Sequence, residues 1–497
     1  GTITASSKAN TGNGGSVSIR GDVIALADTS RIKANAKTNG NGGNISILSN
    51  QQTTVAGSLS AQGGTVSGNG GFVETSSHQN LTIAASTKVS TVAPAGKVGT
   101  WLLDPYDLTI DTAAASVISA ALQNNNVTVQ VAGNVCSGGT CTQNGSGNLT
   151  ILQGVEILKA GSTPTTLTFL ADGSFINYGA ITSAPSSILE VVINANAVLL
   201  ANGSSITANK VTMTAQSSVT VQGSIAGIGN NPLVNILAGV FNLYGAVAVN
   251  STTSNGGVIR IAATSVYLDG NSRLEANGVT DGGLVEVTAN ATGSINSQGY
   301  VQANGGSGRG GTITFTDAQS ILLQTATLQA DGNDGGQITL SSYTGDINLQ
   351  TSLIQTNGST GRGGSIAISG ANSTSLTSTT VNAQGWSQGG SIKIGNDAQN
   401  GTLPFSLALS LDAQTIITAS QTNPSNTTSG GFIETSGGTL SLLASINAGR
   451  GGMWLIDPYD FTVGASEASL IMTALTTQAV TISTASSSVT LPSGTIS

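Results

Sequence analysis

Apolar and polar residues alternate over many short stretches of the chain, and most of these stretches begin with two glycines. The pattern recurs as GGSVSI, GGNISI, GGVIRI, GGLVEV, GGTITF, GGQITL, GGSIAI and GGSIKI, at Gly14, Gly42, Gly256, Gly282, Gly310, Gly335, Gly363 and Gly389. Strict alternation is typical of a β-strand with one buried face. The sequence therefore predicts a strand after each Gly-Gly pair, in which Val17 and Ile19 point inward and Ser18 points outward.

The spacing of the pattern predicts how these strands are arranged. Neighbouring pairs lie 25 to 28 residues apart, except between residues 70 and 256 and before a variant, GGFIET, at Gly430. One period supplies one coil, and a single coil cannot bury its apolar face, so the coils must stack. We predict an all-β fold, a parallel β-helix (solenoid) of about 18 coils. Asn, Asp and Gly before each strand are expected to provide turns with positive φ.

Residues 111–250 lack the Gly-Gly pattern but keep the alternation, as in VTMT and SVTVQ. They are interpreted as the same β-helix with different corners. The segment ASVISAALQ, which begins at Ala115, has apolar residues at helical spacing and, like the similar ASLIMTALT at Ala468, predicts one or two short helical turns.

A longer period overlies the shorter one. The variant GGFVET at Gly70 returns as GGFIET at Gly430, and WLLDPYDLTI at Trp101 returns as WLIDPYDFTV at Trp454, 353 residues later. The chain is expected to be cut from a longer tandem array, because it also begins in mid-pattern without Met. The repeats predict four segments: coils and the first module in 1–111, a variant segment in 112–250, coils and the second module in 251–461, and the start of the next unit in 462–497.

Composition narrows the classes of partner. Only 8% of the 497 residues are charged, and the formal net charge is −8. Nucleic acids and anionic membranes select basic surfaces, so neither is expected as a partner. No apolar run reaches the ~18 residues of a membrane-spanning helix, and membrane insertion is not expected.

The two cysteines, Cys136 and Cys141, lie in the short segment CSGGTC. A disulfide that closes this loop is favoured if the compartment is oxidising, and two free thiols are the alternative. A zinc site would need more Cys or His ligands than the chain contains.

The repeated tryptophan phrase has two interpretations. In the first, it is a structural corner where a large ring fills a change in the cross-section of the coils. In the second, Trp101 and Tyr106 form a platform for a sugar beside Asp104 and Asp107. The candidate residues are Trp101, Asp104, Pro105, Tyr106 and Asp107 in the first copy, and Trp454, Asp457, Pro458, Tyr459 and Asp460 in the second.

The paired module, GGFVETSSHQNLTI followed by GTWLLDPYDLTI, resembles the filamentous-haemagglutinin-like adhesins of two-partner secretion, which include high-molecular-weight and biofilm-matrix adhesins. The resemblance implies a right-handed β-helix on the cell surface of a Gram-negative bacterium, exported through an outer-membrane two-partner secretion pore. It also implies a carbohydrate, exopolysaccharide or host-surface ligand. The amino-terminal secretion domain with its Asn-Pro motifs is not found in this sequence.

The residues predict no catalytic machinery. The acidic residues are scattered, Glu74 and Glu434 occupy outward positions on a solvated or hydrogen-bonded face, and His78 is expected at the surface. No cofactor is expected, although turn carboxylates such as those of DGNDGGQ at Asp331 leave weak calcium binding open. We therefore predict a non-catalytic secreted adhesin or structural fibre segment. The alternatives are a β-helix enzyme that acts on polysaccharides and a filament that polymerises head to tail.

Overall fold

The chain is described from a computed structural model, which covers residues 1–133, 145–316, 318–396, 403–426, 428–484 and 496, and the backbone of 136–137 and 140–141. The chain divides into two compact units, residues 1–229 and 230–497. The division into four segments from the repeats stays a prediction.

The predicted fold class is confirmed: the chain is an all-β parallel β-solenoid of about 18 turns. In one coil of unit 1, Asn44–Val55 runs along a first face, bends, and continues along a second face, and Ser58–Ser60 forms the third face. The next coil repeats these faces as Phe72–Ser77, Asn80–Ile83 and Lys88–Ser90. Each strand is parallel to its predecessor.

In unit 1, the strands on the first and second faces are Ser16–Ala25, Asn44–Val55, Phe72–Ser77, Asn80–Ile83, Thr100–Asp104, Leu108–Ile110, Asn126–Val131, Leu149–Ile151, Thr165–Asn177, Leu189–Leu200 and Lys210–Val221. The third face consists of Thr2–Thr4, Arg31–Lys33, Ser58–Ser60 and Lys88–Ser90, and further along of Glu156–Lys159, Ala180–Ser183, Ser205–Ala208 and Ser224–Gly227. Two-residue strands, Cys136–Ser137 and Thr140–Cys141, pair antiparallel with each other.

In unit 2, the strands on the first and second faces are Leu233–Leu243, Val258–Leu268, Leu284–Ala289, Ser294–Ser297, Thr312–Thr316, Ser320–Gln324, Gln337–Ser342, Asp346–Gln350, Ser365–Gly370, Ser373–Thr377, Ser391–Ile394, Ala408–Leu411, Phe432–Gly437, Thr439–Leu442, Met453–Pro458 and Ala479–Ile482. The third face consists of Ala246–Ala248, Arg273–Glu275, Tyr300–Gln302, Thr327–Gln329, Leu353–Gln355, Thr380–Asn382, Ile416–Thr418 and Ser445–Asn447.

The core is built from columns of equivalent residues. Ile259 stands in register with Val285, which stands in register with Ile313, and all three side chains are fully buried. Each such side chain contributes about 1.5–3 kcal/mol to the stacking of the coils. Outward positions line up in the same way, because Arg260 lies in register with Glu286 and Arg260 Nε is 2.9 Å from Glu286 Oε2.

The Gly-Gly pairs have a role that differs from the predicted one. The expectation of positive φ is met at Gly40, with φ of +139°, but not at Gly42 or Gly43. Instead, a Cβ at Gly43 would lie 1.9 Å from the carbonyl oxygen of Gly15 in the preceding coil, and one at Gly42 would lie 2.2 Å from Ala61 O. The pairs are therefore required where the backbones of neighbouring coils approach too closely for any side chain.

The last coils of unit 1, which lack Gly-Gly pairs, are shorter. Ile206 pairs with Ile225, 19 residues later, whereas Ile45 pairs with Val73, 28 residues later. The corner before the first face shrinks here to a single residue, Asn209, whose side-chain oxygen accepts the Leu189 N–H at 2.8 Å. This agrees with the interpretation of this stretch as the same coil with different corners.

A short helix follows each tryptophan phrase, as predicted. The helices are α1, Thr112–Leu122, and α2, Ala465–Leu475. Helix α1 packs between two third-face strands, Lys88–Ser90 and Glu156–Lys159, and so replaces a strand in one coil. Helix α2 packs in the same way on Ser445–Asn447. No helix in the described part of the chain is long and apolar enough to cross a membrane.

Candidate functional site

Both tryptophan phrases place the indole ring inside the coil. Trp101 and Trp454 are 0% and 1% exposed, respectively. The Trp101 Nε1–H donates to Thr75 Oγ1 at 2.9 Å, and the Trp454 Nε1–H donates to Thr435 Oγ1 at 3.0 Å. Each threonine belongs to the GGF[VI]ET phrase of the preceding coil. The two phrases therefore form one structural unit in each copy, which we call the tryptophan module.

A second contact repeats between the copies. After α1, the buried side-chain amide of Asn125 accepts the N–H of Thr91 at 2.5 Å and donates to Val89 O at 3.2 Å. After α2, the buried amide of Gln478 accepts the Ala448 N–H and donates to Ile446 O at 3.3 Å. In both modules an amide side chain thus ties the end of the helix to the third face of the preceding coil.

Asp104 closes the strand of the first phrase and stands in register with Ser76. Burial, followed by repulsion from Glu74 and Asp172, raises the pKa of Asp104 from 3.8 to about 6, and His78 opposes this increase. Asp107, three residues later, behaves oppositely. Partial burial disfavours its ionised form, but hydrogen bonds from Asn148, Ser146 and Gly147 together lower the pKa of Asp107.

Asp107 accepts hydrogen bonds from the segment that contains Ser146 and Asn148. Its carboxylate accepts the Ser146 N–H at 3.1 Å, the Ser146 hydroxyl at 2.7 Å and the Asn148 N–H at 2.8 Å. Pro105 is buried at the bend between Asp104 and Asp107. Tyr106 is half-buried, and burial raises the pKa of its hydroxyl. Its ring centre lies 6.0 Å from that of His78, which is exposed as predicted.

The second copy has a different aromatic neighbour. Tyr459 stacks on Phe405, with ring centres 4.6 Å apart and ring planes inclined by 26°. Pro458 is buried and Asp460 is exposed. Burial raises the pKa of Asp457, although a hydrogen bond with Ser483 opposes that increase.

This geometry limits what the modules offer to a ligand. Both indole rings lie inside the coils, so a sugar platform here would consist of the half-buried tyrosines and the aspartates alone. The cross-coil threonines, Thr75 and Thr435, were not singled out from the sequence. The only signal was that a polar residue stands in a column of apolar ones, because Thr75 is in register with Ile47 and Leu103.

The recurring glutamates occupy outward positions in register with their neighbours, and they differ in burial. Glu74 is half-buried and accepts hydrogen bonds from Ser46 at 2.7 Å and Ser76 at 3.0 Å. Glu434 is in register with Lys393 and is completely buried, and it accepts the Ser436 hydroxyl at 2.8 Å. Of the two expected environments, solvated or hydrogen-bonded, Glu434 therefore has the hydrogen-bonded one.

The turn carboxylate of Asp331 already has hydrogen-bond donors. It accepts the Asn357 N–H and the side-chain amides of Gln329 and Gln355. It belongs to a ladder in which the Asn304 side chain accepts the Asp331 N–H at 2.9 Å. Within the described ranges, no group of three or more His, Cys, Asp or Glu side chains could hold a metal ion.

The proposed disulfide rests on side chains outside the described residues. The backbone pairs Cys136 with Cys141 across two antiparallel two-residue strands. The choice between a disulfide and two thiols therefore stays a prediction.

A shallow groove of about 860 Å³ runs along unit 2 at the corner between the third and first faces. Its floor consists of the Gly-Gly pairs of successive coils. The rims carry Arg309, Arg362 and Gln388 on one side and Thr312, Gln337 and Ser365 on the other.

Together these features define the class of the protein as a parallel β-solenoid with two tryptophan modules. No known family model matches the chain, and no curated protein matches it. Among solved structures, the chain is similar to the HMW1 secretion domain from Haemophilus influenzae, with 15% identity and a TM-score of 0.34 over 72% of this chain and 87% of that one. A similarity this weak assigns neither a family nor a function.

Proposed function

We propose that the chain is a non-catalytic segment of a secreted fibre that attaches a bacterial cell to a surface or holds a biofilm matrix together. The observation that carries this proposal is the continuous stacking of coils within each unit. Every coil pairs strand on strand with the next, and the same residue positions recur in register. Such a stack is suited to extend and display a surface.

The outward positions support a structural role. In unit 2 the first-face column reads Arg260, Glu286, Thr314, Thr339 and Ala367, which are mostly small or singly charged side chains. Exposed pairs such as Arg260 with Glu286 contribute about 0.2–1 kcal/mol each, so the column helps stacking without forming a specific pocket. The tryptophan modules are proposed to be structural corners that allow a helix to replace a third-face strand.

The partners follow from the family resemblance of the sequence. The proposal includes export through an outer-membrane two-partner secretion pore, a location on the surface of a Gram-negative bacterium, and a carbohydrate or host-surface ligand. Nucleic acid and membrane insertion are not part of it, in line with the acidic net charge of −8.

Adhesion of the purified chain tests the proposal. Beads coated with the folded chain are expected to bind to epithelial cells or to exopolysaccharide-coated surfaces. Beads that carry the same chain denatured before coupling are the control. Equal binding by both preparations would contradict the adhesin function.

The same preparation distinguishes the two alternatives. Release of unsaturated or reducing ends from uronic-acid polymers would favour a polysaccharide-active enzyme. Filaments in electron micrographs that lengthen with protein concentration would favour head-to-tail polymerisation.

A further inference from the structure

Three of the seven tyrosines of the chain gather on three successive coils of unit 2. The rings of Tyr244 and Tyr267 lie with their centres 5.8 Å apart and their planes inclined by 56°. One coil further along, the guanidinium carbon of Arg273 lies 5.1 Å from the ring centre of Tyr300. We call Tyr244, Tyr267, Arg273 and Tyr300 the tyrosine cluster. Only 4% of the chain is aromatic, so this concentration is far from the average composition.

The register of the coils explains why these two pairs lie along one corner. Tyr244 lies at the bend between the second and third faces. Tyr267 stands near the end of a second-face strand, in register with Asn242 and Asn296. Arg273 and Tyr300 are in register at the start of the third face. Parallel strands lie about 4.8 Å apart, so the cluster spans roughly 10 Å along one corner.

None of these side chains belongs to the core. Tyr267 is flanked by the buried Val266 and Leu268, and its own side chain points outward. Tyr244 is 44% exposed and Tyr300 is 42% exposed. Leaving large aromatic surfaces in water forgoes the stabilisation that burial would provide. Tyrosine and arginine are the residues that dominate binding surfaces, because they combine large contact area with polar groups.

The polar surroundings indicate which ligand fits. Arg273 is 3.3 Å from Glu275, and Glu275 also accepts the Asn250 amide at 2.8 Å, so the positive charge of the arginine is locally balanced. A balanced charge gives little attraction to a polyanion. Exposed ring faces beside amide donors and a carboxylate suit a ligand with apolar C–H faces and hydroxyl edges. That combination is characteristic of a sugar ring.

We propose that the tyrosine cluster binds a neutral oligosaccharide, whose rings stack on the tyrosines and whose hydroxyls bond to Asn242, Asn296, Arg273 and Glu275. This inference rests on the proposed function, since it supplies the binding surface that an adhesin requires. It differs from the sugar platform considered in the tryptophan module, because it uses none of those residues.

A binding experiment on the intact chain tests the site. The probes are neutral hexose and N-acetylhexosamine oligosaccharides, from trisaccharides to hexasaccharides, first on an array and then by titration calorimetry. The double variant Tyr244→Ala/Tyr300→Ala is expected to bind at least about tenfold more weakly than the wild type. Tyr178→Ala is the matched control, because Tyr178 is also exposed, at 43%, but lies in unit 1. Its affinity is expected to equal that of the wild type.

Urea unfolding and bead attachment of the same variants distinguish a loss of folding or of adhesion from a loss of oligosaccharide binding. The cluster side chains are exposed, so the variant should keep the urea midpoint of the wild type within error. A wild-type chain that binds none of the oligosaccharides, or a double variant that binds them as the wild type does, overturns the proposal. If the double variant still attaches to surfaces on beads but wild-type oligosaccharide binding is absent, the adhesin proposal stands and this site falls. If oligosaccharide binding depends on the cluster but beads do not attach, the site stands and the adhesin proposal falls.

Discussion

The indole N–H of Trp101 donates a hydrogen bond to the hydroxyl of Thr75, 26 residues earlier in the chain and one coil below. Both groups lie in the dry interior, where an unpaired donor would cost about 1–3 kcal/mol. The same bond joins Trp454 to Thr435 in the second copy. The two phrases occur together because the tryptophan of one coil needs the threonine of the coil before it.

Replacing Thr75 with valine keeps the shape of the side chain and removes the acceptor. We expect Thr75→Val to destabilise the module by about 1–3 kcal/mol, because the buried indole N–H loses its partner. Hydrogen exchange of peptides from 72–83 and 100–110 should then become faster. Thr82→Val changes an exposed threonine on the adjacent strand and should have no effect beyond about 0.5 kcal/mol.

Trp101→Phe removes the donor instead, and the double variant tests whether the two groups act together. If they do, Trp101→Phe/Thr75→Val loses less stability than the sum of the two single variants, by about 0.5–3 kcal/mol. Strictly additive losses would show that the hydrogen bond does not couple the two coils.

The raised pKa of Asp104 predicts an unusual dependence of the folding stability on pH. Burial and the neighbouring Glu74 and Asp172 raise its pKa from 3.8 to about 6. Between these two values the folded chain binds the proton and the unfolded chain does not, so stability falls as the pH rises from about 4 to about 6. The full difference corresponds to about 3 kcal/mol, and screening by solvent around this half-buried group reduces it to about 1–2 kcal/mol.

Asp104→Asn is therefore expected to be more stable than the wild type at pH 7 and equal to it near pH 4, as measured by urea unfolding. Asp107→Asn is the contrasting variant, because hydrogen bonds lower the pKa of Asp107 despite its partial burial. The stability that Asp107 provides is present at neutral pH and is lost on acidification. The same pH profile for both variants would contradict this account.

Much of the fold follows from the sequence because a solenoid repeats its interactions at a fixed period. Alternation identified the inward column that contains Ile259 and Val285, and the period identified the coils. Features that depend on one particular neighbouring residue could not be predicted from the sequence. The burial of Glu434 is one, since an outward position shows nothing about what covers it. The steric role of Gly43 is another, because it depends on the backbone of the coil below.

The tyrosine cluster shows why a site can escape a search for repeats. Tyr244, Tyr267 and Tyr300 are separated by 23 and 33 residues, neither of which is the coil period. Tyr244 and Tyr267 meet although they occupy different positions within successive coils, and Tyr300 follows one coil later near the same bend, whose location only the structure gives. The candidate residues of the tryptophan module could be identified from the sequence because they repeat as a block.

Lys159 offers a second pH-dependent test within unit 1. Its side chain is fully buried, and Nζ donates to the carbonyl oxygens of Leu122 at 2.9 Å and Gln123 at 3.0 Å, at the end of helix α1. These bonds satisfy carbonyl groups that a helix end leaves without partners. Burial nevertheless lowers the pKa of Lys159 from 10.5 to about 8. Between these values the unfolded chain holds more protons, so stability rises as the pH increases from about 8 to about 10.5.

The comparison of Lys159→Met with the wild type isolates this contribution. We expect the stability difference between them to change by about 1–3 kcal/mol between pH 8 and pH 10.5, in favour of the wild type at the higher pH. Lys88→Met replaces an exposed lysine of the neighbouring third-face strand and should show no such trend. A flat difference for Lys159→Met would show that burial does not lower the pKa of this amine in the folded chain.

The backbones of neighbouring coils approach each other closely at the Gly-Gly pairs. A Cβ at Gly43 would lie 1.9 Å from the Gly15 carbonyl oxygen, a contact that cannot be relieved without separating two backbones. We expect Gly43→Ala to destabilise unit 1 by more than about 3 kcal/mol and to increase hydrogen exchange in strands Ser16–Ala25 and Asn44–Val55. Gly21→Ala is the control, because the nearest atom to its added Cβ would be 3.7 Å away and its φ is not positive. Comparable losses for the two variants would show that backbone freedom, rather than coil spacing, requires glycine after each corner.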